Sequence, residues 1–234
     1  MRPEACAAAR EALPVETTAP TPDATVREGE MEGALHVVGK VGYREASVRA
    51  VLEYSGGHRK QFYEHFANLE DCFQQAYAAW IERLGVELLE AAISVQGWRA
   101  SVRAGLVHLF RFIEERPAIA RALFVEVQVA GGEALAVHDE AVERLAGALD
   151  SVRAEIDPSE EPPEATGLFV LGGIEAGICE VLTAGDATRI WGTLPELMHL
   201  AIGSYLGNEA ADEEFEAAKQ LLDRDRAELG GGRK

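Results

Sequence analysis

Cysteine is scarce. Cys6, Cys72 and Cys179 are the only three in 234 residues, and their wide spacing fits neither a disulfide framework nor a set of metal ligands. A disulfide-stapled scaffold and a structural zinc module are thereby excluded, and neither a metal nor a cofactor is expected. Cys72 and Cys179 lie in apolar helical surroundings and read as small buried hydrophobes in a reducing compartment. A long uninterrupted apolar run is missing too. The most apolar stretch, Gly167 to Gly185, carries Glu175 and Glu180. A carboxylate at membrane depth costs on the order of 2.5 kcal/mol or more, so a buried helix is expected there and no membrane span. The N-terminus lacks the apolar core of a signal peptide, which points to a cytoplasmic protein. A nucleophile elbow, a His-Glu-x-x-His pair and a phosphate-binding glycine loop are all absent, which argues against an enzyme.

Positive charge is the other shortage. Lys and Arg number 22 against 40 Asp and Glu, a formal net charge of −18. The imbalance is uneven: residues 31–75 hold 5 basic and 6 acidic side chains, whereas residues 76–234 hold 14 basic and 28 acidic. The acidity is therefore concentrated in the C-terminal two-thirds. The N-terminal segment is near neutral, a weaker footprint than the basic surface usual for nucleic-acid binding.

What the chain does have is helical periodicity, with Gly and Pro as punctuation and no internal repeat. Residues 1–26, with four prolines and no sustained apolar period, read as a flexible leader in which Ala5 to Leu13 can form a short helix. A first helix is expected from Arg27 to Lys40, a second from the N-cap Ser47, and a third over His58 to Glu64 after a Gly56-Gly57 turn. A fourth, starting near Asn68 with Phe73, Tyr77, Trp80, Leu84 and Leu88 on one face, is long enough to link two domains. Further helices are expected over Trp98–Glu115, Pro117–Ala130, Glu133–Glu155 and Glu164–Ala184, and from Asp186 to Leu206, where Pro195 kinks the helix or marks a fresh start. A charged helix over Glu209–Leu229 precedes a Gly-rich tail, and Asp157-Pro158-Ser159 through Pro163 reads as an exposed loop. Within Pro117–Ala130 the alternation of Leu123, Val125, Val127 and Val129 is strand-like, but no partner strand exists in the chain, so helix is preferred.

Residues 42 to 73 carry the most information. They read Gly42-Tyr43-x-x-Ala46-Ser47-Val48, Val51-Leu52, Ser55-Gly56, Phe62-Tyr63-Glu64-His65-Phe66 and Glu70-x-Cys72-Phe73. A Ser-capped amphipathic helix, a tight glycine turn and a short polar–aromatic helix form the layout of a helix-turn-helix, whose second helix enters the DNA major groove. This run resembles the DNA-binding head of the TetR family of transcription regulators, most specifically at Phe62–Phe66. Weaker likeness to the C-terminal region of some actinobacterial members lies in Arg116-Pro117-Ala118, Gly172-Gly173-Ile174-Glu175 and Leu194-Pro195-Glu196-Leu197.

The resemblance implies an all-α protein: a three-helix head at 27–74, then a larger helical ligand-binding and dimerisation domain at 75–230. It implies a homodimer that binds a palindromic operator in double-stranded DNA, usually as a repressor, and is released by a small molecule. The chain departs from the pattern at Leu69, where the family usually has a phosphate-contacting Lys, at His58 in place of Ser, and at Gly57 in place of Val or Met. Loss of a phosphate contact weakens binding at every sequence. A TetR-like helical dimer with degenerate DNA binding, serving as a ligand-binding or protein-interaction module, is therefore the alternative reading.

On that basis Arg59, Lys60 and Gln61, with His58 before them, are expected to face base edges, because Arg or Lys reads guanine and Gln reads adenine. Tyr63 and His65 match family positions that touch phosphate. Ser47 caps its helix and can offer its amide end to a phosphate, and Arg44 and Arg49 flank the surface. For the unknown small-molecule effector, His108, Phe110, Phe124, Gln128, His138 and Glu175 are candidate lining residues, lying within or beside apolar helix faces. The homodimer contact is expected from the helices near 164–184 and 187–206, through Leu168, Leu171, Ile178, Leu194, Leu197 and Ile202, where Gly172, Gly173 and Gly177 let another backbone approach.

Overall fold

The computed structural model describes residues 22–156 and 161–231. The leader helix over Ala5–Leu13, the Asp157-Pro158-Ser159 turn and the end of the Gly-rich tail lie outside them. Among the described residues the chain forms nine helices and no strand.

The head comprises α1 (Pro22–Val41), α2 (Val48–Ser55) and α3 (Arg59–His65). Helix α1 begins upstream of Arg27, inside the stretch read as leader, with Asp23 in its first turn. Helix α2 starts where Ser47 accepts the Ala50 N–H at 3.3 Å. It stops at Gly56, whose φ of 70° is the left-handed geometry that glycine adopts without a Cβ penalty. Val51, Phe62 and Phe66 pack with Leu35, Val38 and Phe73 as a fully buried cluster, which fixes α3 on α1 through its apolar side.

Helix α4 (Leu69–Ile93) leaves the head under an Asn68 cap, whose side chain accepts the Asp71 N–H at 2.9 Å. A boundary at residue 74 falls inside this helix, and Phe73 and Tyr77 belong to one unbroken core that runs from head to C-terminal region. Helix α5 (Trp98–Glu115) packs along α4. Helix α6 spans 117–130 in three parts, Pro117–Arg121, a π-helical turn Ala122–Glu126 and Val127–Ala130. The strand-like alternation thus resolves as helix, with one irregular turn.

Helix α7 (Gly132–Asp150) closes in a 3-10 turn, Ser151–Glu155. Helix α8 (Thr166–Ala184) lies between α7 and α9 (Leu194–Gly231). Asp186 caps a 3-10 segment, Ala187–Thr193, before α9, so Pro195 sits in a fresh first turn, where its missing N–H costs nothing. Helix α9 is broken at Gly207 (φ 79°, ψ 175°). Its charged second half returns to α5 through the Arg103–Glu214 ion pair. Helix α8 is long and apolar enough to cross a membrane by length and composition; here it carries Glu175 and Glu180 and packs on α7 and α9.

A second contact that joins head to body, beside the unbroken α4, is α1 on α6. A Cβ added to Gly39 would sit 1.7 Å from the carbonyl oxygen of Ala118, so only glycine lets the two backbones meet at this distance.

Candidate nucleic-acid interface and ligand cavity

Burying Phe62 on the inner side of α3 turns its neighbours outward. His58, Arg59, Lys60 and Tyr63 are exposed, as are Arg44, Ser47 and Arg49 around α2, while Gln61 is half-buried. Seven of the nine residues expected at a nucleic-acid surface therefore face solvent. The charge there is partly neutralised: Arg49 pairs with Glu53 at 2.8 Å and Lys60 with Glu64 at 3.7 Å, both one helical turn on. The Arg59 guanidinium lies 5.6 Å from the centre of the Tyr63 ring, a cation–π contact that holds the side chain along the outer face of α3. Leu69, at the position where the resemblance implies a phosphate-contacting Lys, is partly buried against the core.

His65 is a correction. Its imidazole is 8% exposed, with Nδ1 2.5 Å from Glu30 Oε2 and Nε2 3.1 Å from Asp23 Oδ1, both carboxylates on α1. A phosphate role needs a free nitrogen, and these two are engaged; an imidazolium satisfies both partners with its two N–H donors. The hydrogen bond to Glu30 raises the pKa of His65 above the ordinary histidine range against the opposing effect of desolvation, with Asp23 adding to the rise. His65 therefore clamps the C-terminal end of α3 to α1. Glu30 is fully buried, its Oε1 lacks a hydrogen-bond partner among the described residues, and its backbone carbonyl accepts the Cys72 thiol. Burial, and then the Glu30 charge, push Cys72 up to about 12, so it stays a thiol and packs as a small hydrophobe.

Between α4, α5, α6, α7 and α8 lies a cavity of about 300 Å³. Its wall is apolar, with Leu84, Leu88, Leu109, Leu145, Ile174 and Ile178 prominent, and its polar groups are Glu82, Arg144, His138 and Glu175. Of the candidate lining residues, Phe124, His138 and Glu175 meet there. His108, Phe110 and Gln128 do not. His108 sits 3.2 Å from Glu87 near the surface. Phe110 is buried edge-on against Trp191, because successive residues of α5 point about 100° apart and Leu109 takes the cavity side. Gln128 is exposed, just past the π turn.

Tyr77 links cavity to π turn. Its hydroxyl lies 2.8 Å from His138 Nδ1 and 3.2 Å from the Leu123 carbonyl oxygen, and His138 Nε2 lies 2.9 Å from Glu175 Oε1. Burial, and then the Glu175 charge, push the Tyr77 phenol far up, so it is a neutral hydroxyl. The same turn ends in Glu126, whose Oε2 accepts the Tyr43 N–H at 2.9 Å and whose Oε1 accepts from Arg121 at 2.7 Å. One five-residue turn therefore touches the cavity through Phe124 and the start of the helix-turn-helix through Glu126. Nothing in the sequence marks it, since both contacts depend on the packing of distant helices.

The outer face of α8 and α9 exposes Leu168 (46%), Phe169 (76%) and Leu200 (38%), beside Gly172. Ile178, Leu194, Leu197 and Ile202, expected at a dimer contact, are instead buried within the chain, and Leu171 lines the cavity. Helix α8 is apolar on nearly every side, so its sequence does not separate the inward face from the outward one. Among the described residues no group of three or more His, Cys, Asp or Glu is placed to hold a metal ion.

No family model matches the chain, and no curated protein matches it in sequence. Solved structures do match in fold. The fatty acid degradation regulator FadR from Bacillus halodurans superposes with a TM-score of 0.66 over 80% of this chain and 97% of its own, at 14% identity. FadR from Bacillus subtilis, in complex with stearoyl-CoA, gives 0.62 over 75% and 97%, at 15% identity. A TetR family transcription regulator from Marinobacter aquaeolei VT8 gives 0.56 over 84% and 94%, at 17% identity. With its small three-helix head set on a larger helical body, the chain has the fold of the TetR-family transcription regulators.

Proposed function

We propose that this protein is a ligand-responsive, DNA-binding transcription regulator of the TetR type, a repressor that binds a palindromic operator as a homodimer and lets go when a small molecule fills the cavity. The observation that carries the reading is the double engagement of the π turn, with Phe124 in the cavity wall and Glu126 on the Tyr43 amide. A ligand that displaces Phe124 acts on the anchor of α2 with no intervening flexible segment. The solvent-facing cations of α3 support the DNA role, and the bound stearoyl-CoA of one structural neighbour supports a small-molecule effector. The apolar patch of Leu168, Phe169 and Leu200 supports pairing through α8 and α9, because a second copy removes that surface from water.

Selection of binding sites from random double-stranded DNA tests the reading. Enrichment of a palindrome with half-sites about one helical turn apart supports it. No enrichment across low-salt conditions favours the second reading, a dimer with degenerate DNA binding, which the paired charges at Arg49 and Lys60 and the inward Leu69 motivate.

A further inference from the structure

We propose that the effector is an apolar molecule with one hydrogen-bond-donating head, a hydroxyl or an ammonium, that docks on Glu175; this rests on reading the cavity as the effector site. The argument follows from which polar groups of the cavity are already occupied. Glu82 and Arg144 pair with each other at 2.7 Å with both side chains more than half exposed, so they form a mutually neutralised, hydrated mouth. His138 is 3% exposed, with Nδ1 on the Tyr77 hydroxyl and Nε2 facing Glu175. It offers a ligand almost no surface.

Glu175 differs. Its side chain is 24% exposed and lines the cavity, and among the described residues the His138 imidazole is the one side-chain partner found for it. A carboxylate accepts about four hydrogen bonds, so acceptor capacity remains in a wall that is mainly apolar. There a donor head completes the shell, and low local polarity strengthens the bond. An anionic head meets a like charge with little water to screen it, which selects against carboxylates, phosphates and thioesters of phosphorylated carriers. The size agrees: about 300 Å³ suits a compact amphiphile. Glu175 also ends the chain of contacts through His138 and Tyr77 to the Leu123 carbonyl, so a head docked there acts on the π turn.

Calorimetric titration of the full-length protein with decan-1-ol, decylammonium and decanoate at neutral pH tests this. The alcohol and the ammonium are expected to bind more tightly than decanoate, on the order of tenfold or more. Glu175→Gln keeps the size and an acceptor but removes the charge, so the discrimination against decanoate should collapse while decanol is retained. Val142→Phe, at the cavity wall, should weaken all three ligands together. Decanoate binding as tightly as decanol to the unaltered protein, or a Glu175→Gln variant with the original ranking, overturns the assignment of the head group and leaves the cavity as effector site. If Val142→Phe changes nothing, or none of the three binds, the cavity reading itself fails and the present proposal with it.

Discussion

Glu126 holds the backbone N–H of Tyr43 across 83 positions of sequence, at 2.9 Å, from a carboxylate that is itself 5% exposed and tied to Arg121. This bond joins the π turn of the ligand-side helix to the loop that leads into the helix-turn-helix. Replacing Glu126 with Ala strips a part-buried amide and a part-buried guanidinium of their acceptor, which costs about 1 kcal/mol or more of stability. The variant should bind a cavity ligand with unchanged affinity in calorimetry yet lose most of the ligand's effect on DNA binding in a gel-shift assay. Retention of full ligand response would mean that another contact carries the coupling.

Gly39→Ala is the steric counterpart. With its new Cβ 1.7 Å from the Ala118 carbonyl oxygen, α1 and α6 must separate. Overpacking of this kind costs about 1–3 kcal/mol, read as a lower thermal midpoint and faster amide exchange in α1. A midpoint within error of the parent would show that the two helices are not in contact in solution.

Arg59→Ala should weaken operator binding by about 1–3 kcal/mol and relax the preference at one base pair. Arg59 is exposed on α3 and braced by Tyr63, so the substitution leaves the fold intact. Unchanged affinity and preference in a gel-shift series would mean that the outer face of α3 does not meet the bases.

The clamp between α3 and α1 is pH-dependent with a defined sign. The pKa of His65 is raised by Glu30 and Asp23, so its contribution is fully present below the unfolded histidine range near about 6.5. It is lost as pH rises through the higher folded-state value. Amide exchange in α3 should accelerate over that window, and His65→Gln should flatten the dependence. A head whose stability rises with pH across the same window would contradict the charged clamp.

Phe169→Asp places a charge in the exposed apolar patch of α8. Phe169 is 76% exposed in the single chain, so the monomer should fold unaltered while sedimentation shows the dimer lost. A dimer of unchanged affinity would move the interface elsewhere.

The sequence by itself determined the helical fold, the order of helices and the helix-turn-helix, because these depend on local features: a Ser cap, a Gly turn, a 3.6-residue apolar period and the Phe62–Phe66 aromatic run. It also picked out most of the solvent-facing residues on α2 and α3, since burying Phe62 fixes which neighbours point outward. The tertiary structure decided everything that needs two distant segments. It placed His65 between two carboxylates of α1, and it left Phe124, His138 and Glu175 around a cavity while His108, Phe110 and Gln128 turned away. It turned Leu168 and Phe169 outward on a helix that is apolar nearly all round. An apolar stripe looks the same whether it closes on a core, lines a cavity or awaits a second copy, because the difference lies in what packs opposite.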